Sequence, residues 1–273
     1  MDNIMELKKQ PHLSASGIRD YCDCGLQYKF GRIDKLKSEL SSDSLEFGSV
    51  IHKVLAEFFQ EKMIGNKLPL PELHKIFEDH WRTVAKEKPD IRYTKGRNFE
   101  AVLQEGKSLL SAYYENVPDD GFRVLAIEEP FIFTIAGVSI PIIGVFDLLL
   151  QENESDILII NEFKTSSKAY SKDDIDKSLQ LTLYQMSAKA NGYKCSEILL
   201  RFDILIKTKV PKFEQYYTVR SEDDEMRAIR KIQQVWDGIN KGVFIPNYGS
   251  WKCNCCCYRN ACNEWSLKTG TND

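Results

Sequence analysis

The chain has 273 residues, of which 42% are hydrophobic, enough to build one large domain or two small ones around a real core. Its net charge of −3 argues against a protein that coats polyanions with its whole surface. The first residues lack the apolar core of a signal peptide, and no apolar run is long enough to span a bilayer. The sequence therefore predicts a cytoplasmic protein with no membrane partner.

Helical patterns dominate the first 120 residues. The predicted helices cover residues 13–30, 47–62, 71–87 and 97–116. Ser14 or Ser16 is expected to be the N-cap of the first helix, since serine hydroxyls accept hydrogen bonds from free backbone N–H groups. Turn-forming residues follow the second helix, so we expect residues 63–120 to form a helical insertion.

Strands dominate the next hundred residues. They are predicted at residues 122–135, 138–151, 156–164, 196–208 and 213–220. One helix, 173–191, lies between the third and fourth strands, and a last helix, 221–241, precedes a cysteine-rich tail. This strand–helix–strand order predicts an α/β fold with a mixed central sheet flanked by helices.

We expect a single domain over residues 13–265. It would comprise the helical insertion, a catalytic core at 121–220, and a C-terminal helix with a cysteine cluster at 221–262. Residues 1–12 and 266–273 are expected to be flexible ends.

Two acids and a lysine follow the most apolar runs of the core. The first run ends at Asp147, and the second ends in Glu162-Phe163-Lys164. A buried charge is costly unless it is paired or binds a metal, so acids at neighbouring strand ends predict a site for Mg²⁺ or Mn²⁺. Such a site can activate water for attack at phosphorus, while Lys164 balances charge on the phosphoryl oxygens. A surface salt bridge is the alternative for Glu162 and Lys164.

Three other polar residues lie on predicted helices. His52 occupies an apolar helix face, where a histidine is more often a core residue than a metal ligand. Gln180 and Tyr184 are one turn apart on the helix after Lys164, so they share a face. They could hold Lys164 or contact the nucleic-acid backbone, and a half-buried amphipathic helix is the alternative.

Cysteines are concentrated at the two ends of the chain. Five of the eight fall within residues 253–262, and Cys22 and Cys24 lie near the N-terminus. Clustered thiolates without a signal peptide favour a metal site over disulfides. Zinc and an iron–sulfur cluster both accept four thiolates, so the spacing leaves both open.

Taken together, these residues resemble the RecB-like branch of the PD-(D/E)xK nucleases. The likeness is to its iron–sulfur members, which include the AddB nuclease domain and the CRISPR-associated RecB-like exonucleases. The motifs run in family order from Leu13 to Cys262: Gly48-x-x-x-His52, Gly144-x-x-Asp147, Glu162-x-Lys164, Gln180-x-x-x-Tyr184, and Cys253-x2-Cys256-x5-Cys262 with Cys24 upstream. Each motif is common alone, whereas five in order are specific.

The resemblance implies a restriction-endonuclease-like core and a set of site residues. The implied ligands of Mg²⁺ or Mn²⁺ are His52, Asp147, Glu162 and the backbone carbonyl of Phe163. Lys164 would be the catalytic lysine, with Gln180 and Tyr184 in the same catalytic set.

The resemblance also implies a [4Fe-4S] cluster that joins the two ends of the chain. Its ligands would be Cys24, Cys253, Cys256 and Cys262. The sequence departs from the family pattern in two ways. Cys22, Cys255 and Cys257 are extra cysteines that leave the ligand register open, and Gly25 stands where the family often has proline. Zinc is the alternative occupant.

From these observations we expect a metal-dependent deoxyribonuclease, an exonuclease acting on single-stranded DNA ends. It would work beside a helicase or a CRISPR integrase, in DNA repair, recombination or spacer processing. The candidate DNA contacts are Lys86, Lys88, Arg92, Lys95, Arg97, Lys207, Lys209 and Lys212, with Tyr93 and Phe99 for base stacking. The rival hypothesis is a noncatalytic DNA-binding or assembly module of the same fold.

Overall fold

The structure is a computed structural model that describes residues 4–38, 41–94, 96–118, 121–152 and 155–268. Lys95, a candidate DNA contact, lies outside the described residues. The same holds for residues 1–3 and 269–273 of the ends expected to be flexible.

Helices form most of the first 116 residues. They are α1 (Ile4–Leu7), α2 (Ala15–Asp23), α3 (Gly25–Tyr28), α4 (Asp43–Met63), α5 (Leu70–Glu87) and α6 (Phe99–Asn116). Two short parallel strands, β1 (Ser41–Ser42) and β2 (Ile91–Arg92), tie the start of α4 to the loop after α5. The predicted N-cap Ser14 accepts a hydrogen bond from the Gly17 amide. Helix α4 begins before the predicted Phe47 because Ser42 caps it, accepting from the Leu45 amide.

Five strands form the central sheet. They are β3 (Phe122–Phe133), β4 (Ile142–Glu152), β5 (Ile157–Ser166), β6 (Glu197–Ile206) and β7 (Lys212–Thr218), and they lie in chain order across the sheet. Strands β5 and β6 are parallel, and the other neighbours are antiparallel. The predicted α/β fold with a mixed sheet flanked by helices is confirmed.

The remaining helices lie between β5 and β6 and after β7 in the chain. They are α7 (Lys172–Asp176), α8 (Leu179–Ala190), α9 (Glu222–Asn240) and α10 (Arg259–Lys268), with a 3-10 turn at Trp251–Cys255. The prediction of one helix over residues 173–191 was wrong. The helix is interrupted because the Ser178 side chain accepts from the Leu181 amide and so starts α8 as a separate helix.

Apolar side chains cover both faces of the sheet. On one face α4, α5 and α6 pack through residues such as Phe47, Trp81 and Tyr113. On the other face α2, α8 and α9 pack through Ile18, Leu181 and Ile232. Burial on both faces explains why the strands are continuous apolar runs. Within the described residues, no helix is both long and apolar enough to cross a membrane.

Candidate active site

Strands β4 and β5 separate at the predicted acidic site. Their last paired residues are Leu148 and Asn161, so Asp147 and Glu162 lie immediately beyond the end of the ladder. The Phe163 amide donates instead to Oδ2 of Asp147, at 2.9 Å. The expectation that both acids stand at strand ends was wrong, because each strand continues past its acid while only their mutual pairing stops.

Three side chains from three elements converge here. His52 on α4, Glu128 on β3 and Asp147 on β4 each offer one ligand atom, and these atoms lie within 4.8 Å of one another. The His52 Nδ1 atom is 3.3 Å from Oδ2 of Asp147. Carboxylate oxygens suit Mg²⁺ and Mn²⁺, and an imidazole is compatible with Mn²⁺. The donor set therefore fits a divalent cation.

Glu128 is a site residue that the sequence analysis missed. The ladder pairs Ile127 with Leu148 and Glu129 with Phe146, which places Glu128 opposite Asp147. Its φ of 49° lies in the left-handed region, which is rare for a residue other than glycine and is enriched at functional sites. The available signal was a pair of acids followed by Pro130 inside an otherwise apolar strand.

Four predicted residues form a closed hydrogen-bonded ring beside this group. Lys164 donates to Glu162 and to Oε1 of Gln180, the latter at 2.9 Å. The Gln180 Nε2 group donates to the Tyr184 hydroxyl at 3.0 Å, and that hydroxyl contacts Oε2 of Glu162. Gln180 and Tyr184 thus hold Lys164 and Glu162 at fixed positions, one of the two roles considered for them.

The environment shifts the pKa values of the acids in opposite directions. Burial raises the pKa of Glu162, and the nearby Asp147 charge raises it further. Burial also acts to raise the pKa of Asp147, but hydrogen bonds from His52 and the Phe163 amide bring it below its usual value. For Glu128, burial and then the Asp147 charge raise the pKa to about 7. Acids that repel one another are those that a bound cation would stabilise.

The environment raises the pKa values of Lys164 and His52 above their usual values. Burial acts to lower the pKa of Lys164, but Glu162 outweighs it and the net pKa is raised. Burial likewise acts to lower the pKa of His52, and Asp147 and Glu162 reverse the shift. Lys164 is therefore a fixed positive charge, suited to stabilising negative charge on a phosphoryl group.

A family model described as the PD-(D/E)XK nuclease superfamily matches residues 12–263. The chain belongs to this superfamily. PD-(D/E)XK nucleases use divalent metals, and the His52, Glu128 and Asp147 group of this nuclease is compatible with such a metal. The sheet and its flanking helices are accordingly a restriction-endonuclease-like core.

Two solved structures match the nuclease over most of its length. One is a candidate exonuclease from Eubacterium rectale, with a TM-score of 0.51 and 12% identity, covering 90% of this chain and 86% of the other. The other is the protein SSO0001, with a TM-score of 0.41 and 12% identity, covering 94% of this chain and 89% of the other. Among curated proteins, no sequence matches the nuclease.

An open cleft of about 700 Å³ leads to the metal-ligand group of the nuclease. One wall is the exposed face of α4, and the other side is formed by His80 of α5 and Glu128 of β3. His52 and Glu128 line this cleft, whereas Asp147 is only 8% exposed. The cleft along α4 therefore gives a substrate a route to the site.

Four cysteines line a separate cavity of about 170 Å³ where the two ends of the chain meet. They are Cys24, Cys253, Cys256 and Cys262. Of the other described cysteines, Cys22 and Cys255 are exposed, and neither they nor Cys257 line this cavity. Burial and neighbouring cysteines raise the pKa of Cys262. The structure thus brings together the four cysteines that the resemblance selected.

Direct contacts join the two ends beside this cavity. Lys252 lies 2.5 Å from the Asp23 carboxylate, and Asn247 donates to the Asp23 carbonyl at 2.9 Å. The Gly25 amide donates to the Ile245 carbonyl, and a Cβ at Gly25 would lie 2.7 Å from the Ile245 backbone nitrogen. A proline here would lose that hydrogen bond and clash, which explains why glycine replaces it.

Proposed function

We propose that this nuclease is an exonuclease that hydrolyses single-stranded DNA from its ends with Mg²⁺ or Mn²⁺. The observation that carries the proposal is the convergence of His52, Glu128 and Asp147 beside Glu162 and Lys164 at the wall of an open cleft. Buried charges are costly, so the two buried acids Asp147 and Glu162 beside His52 favour catalysis over a retired site.

The proposed roles follow from the contacts. His52, Glu128, Asp147, Glu162 and the Phe163 carbonyl would hold the cation, which supplies Lewis acidity and activates water. Lys164 would stabilise charge on the scissile phosphate because it stays protonated. Gln180 and Tyr184 are positioning residues, since they act through Lys164 and Glu162.

The structure narrows the candidate DNA contacts. Arg97 pairs with Asp43 and Glu105, and Phe99 stacks on Trp81 with ring centroids 6.3 Å apart. Side chains occupied in this way are poorly placed to bind a strand. Lys88 is exposed but pairs with Glu46 at 2.6 Å. The proposed phosphate contacts are therefore the other exposed members of the original set, Lys86, Arg92, Lys209 and Lys212.

We further propose that the cysteine cavity holds a [4Fe-4S] cluster, as in the RecB-like branch. One zinc ion, with Zn–S bonds of about 2.3 Å, would hold four thiolates roughly 3.8 Å apart. Among the described residues, no three cysteine sulfurs lie within 4.8 Å of one another. A cube, in which each thiolate binds a different iron, tolerates the wider spacing.

The decisive experiment is digestion of end-labelled single-stranded DNA by anaerobically purified protein with Mn²⁺. Wild type and a Lys241→Ala control are expected to degrade the DNA, and Lys164→Ala is expected to be inactive. Lys241 is exposed at the end of α9, so its loss controls for surface charge. A covalently closed single-stranded circle should survive, and robust cutting of that circle would refute the need for an end.

Inactive wild type with a bound metal would instead favour the rival function, a noncatalytic DNA-binding or assembly module. A helicase or CRISPR integrase as partner, in the cytoplasm, stays part of the proposal. Activity that appears only when such a partner is added would identify a partner-dependent nuclease.

A further inference from the structure

The cleft beside the metal-ligand group follows the whole exposed face of α4. Its lining on this helix begins at Ser44, passes His52 and ends at Gln60. Gln60 is sixteen residues after Ser44, a rise of about 24 Å, since each residue adds about 1.5 Å. His52 is eight residues from Ser44 and eight from Gln60, so the metal-ligand group lies at the middle of the cleft, about 12 Å from each end.

A cleft that closed at the metal-ligand group would admit only the terminal nucleotide. We propose that the DNA strand lies along α4 on both sides of the scissile phosphate, so that this nuclease releases short oligonucleotides rather than mononucleotides. Each half of the cleft holds about two or three nucleotides, because stacked nucleotides rise about 3.4 Å each and unstacked ones more. The proposal rests on the proposed nuclease function.

The first half of the cleft has the side chains that bind a strand without reading its sequence. Ser44 and Ser49 offer exposed hydroxyls, and Leu45 is 67% exposed beside them. Hydroxyls bind phosphate and sugar oxygens, and an apolar side chain can contact a base. Gly48 keeps this half open, since a Cβ there would meet only Thr165 Oγ1, at 3.6 Å.

The second half of the cleft is walled by a pair of helices. His80 Nε2 on α5 lies 2.5 Å from Glu57 Oε1 on α4, and Gln60 follows one turn later. The Gln60 amide can donate to phosphate oxygens, whereas the His80 imidazole is held by Glu57 and forms the wall. Lys53 lies between the two halves, next to His52, and its exposed ammonium is suited to the phosphates flanking the cleavage point.

Product length tests the proposal directly. Wild type is given single-stranded DNA with Mn²⁺, and products are sized by mass spectrometry at early times. We expect di- and trinucleotides or longer as the first products, with mononucleotides absent until these are re-cut. Mononucleotides as the first products would overturn the proposal while leaving the nuclease function intact.

Binding tests it independently of turnover. Fluorescent oligothymidylates of two to ten nucleotides are titrated into the Lys164→Ala protein with Ca²⁺. Affinity should rise with length until both halves are filled, at about five or six nucleotides. Adding Lys53→Ala should weaken binding several-fold and reduce the salt slope by about 0.7, the value for one single-strand phosphate contact.

The matched control is Lys67→Ala, which removes an exposed lysine just beyond α4 and outside the cleft. It should leave binding unchanged. Affinity that is already maximal for dinucleotides, or equal losses for the two variants, would refute the proposal even if the enzyme cuts no DNA. Absence of cleavage with length-dependent, Lys53-dependent binding would refute the proposed catalysis alone.

Discussion

Glu128 and Asp147 bring two carboxylates close together across β3 and β4, with His52 of α4 beside them. Without a cation, partial loss of hydration and then the nearby Asp147 charge raise the pKa of Glu128 to about 7. Such a carboxyl group has a higher pKa in the folded state than in the unfolded state. It therefore lowers the free energy of unfolding as the pH rises from the unfolded-state pKa to the folded-state pKa. A bound cation would remove this loss of stability, so Glu128 couples the stability of the fold to metal binding.

We predict opposite effects of Glu128→Gln on stability and metal affinity. At pH 8 and without metal, the variant should be more stable than wild type by about 1 kcal/mol, allowing for solvent screening of a partly exposed side chain. The difference should vanish below about pH 4.5, where both forms are neutral. Mn²⁺ affinity should fall about 10–100-fold.

Thermal unfolding at both pH values and Mn²⁺ titration followed by calorimetry measure these quantities. Glu129→Gln is the matched control, because it is the adjacent acid and does not belong to the metal-ligand group. Unchanged Mn²⁺ affinity in Glu128→Gln would exclude this residue from the metal site.

At the residue scale, the sequence motifs predicted most of the residues that meet at the site. These motifs are recognised by residue type and spacing, which do not depend on how the side chains pack. His52, Asp147, Glu162, Lys164, Gln180 and Tyr184 all meet at one place, although their catalytic roles stay predictions. Glu128 escaped notice because its position depends on the β3–β4 register and on a left-handed φ. Neither property is visible in a single sequence.

At the element scale, two helical glycines have opposite surroundings. A Cβ on Gly106 in α6 would lie 2.0 Å from Phe77, so this glycine lets α5 and α6 approach closely. A Cβ on Gly48 in α4 would make only an ordinary contact. Helix propensity favours alanine over glycine at both positions by about 1 kcal/mol. Packing therefore decides whether a glycine-to-alanine substitution raises or lowers the stability at each position.

We predict that Gly106→Ala destabilises the protein by about 1–3 kcal/mol, because Phe77 must leave its position in the core. Gly48→Ala should stabilise it by up to about 1 kcal/mol. Urea unfolding of both variants measures the difference. Equal effects in the two variants would mean that α5 adjusts at no cost.

The boundaries of helices and strands could be predicted where the local sequence alone determines them. The strands and most helices follow from periodicity, and α8 differs because Ser178 caps a new helix inside an otherwise helical pattern. The separation of β4 and β5 could not be predicted, since it depends on the Asp147 side chain accepting from the Phe163 amide. Such side-chain competition with a ladder has no periodic signature.

At the scale of the whole molecule, the N-terminal and C-terminal segments meet at the cysteine cavity. Tyr21 donates to the Val243 carbonyl at 2.6 Å, and Lys252 pairs with Asp23. A cluster bound by Cys24 and the tail would close a loop around nearly the entire nuclease. Loop closure of this length removes unfolded-state entropy worth up to about 5 kcal/mol in a chain-entropy account.

We predict that Cys24→Ser abolishes the brown colour and the absorption near 400 nm expected of a [4Fe-4S] cluster and lowers the free energy of unfolding. Cys22→Ser should retain both, because Cys22 is exposed and outside the cavity. Iron, sulfide and zinc analysis with anaerobic urea unfolding provides the measurement. Zinc without iron in wild type would establish the alternative occupant, and loss of colour in Cys22→Ser would change the ligand assignment.

The hydrogen bond from the Phe163 amide to Asp147 places a backbone N–H group, which NMR can observe, beside the metal-ligand group. A cation that draws charge from the Asp147 carboxylate weakens this bond, because the oxygen becomes a poorer acceptor. The amide proton should then move upfield and exchange faster with solvent. In protein labelled with ¹⁵N-phenylalanine, one resonance would follow cation binding at the site, in an inactive variant as well as in an active one.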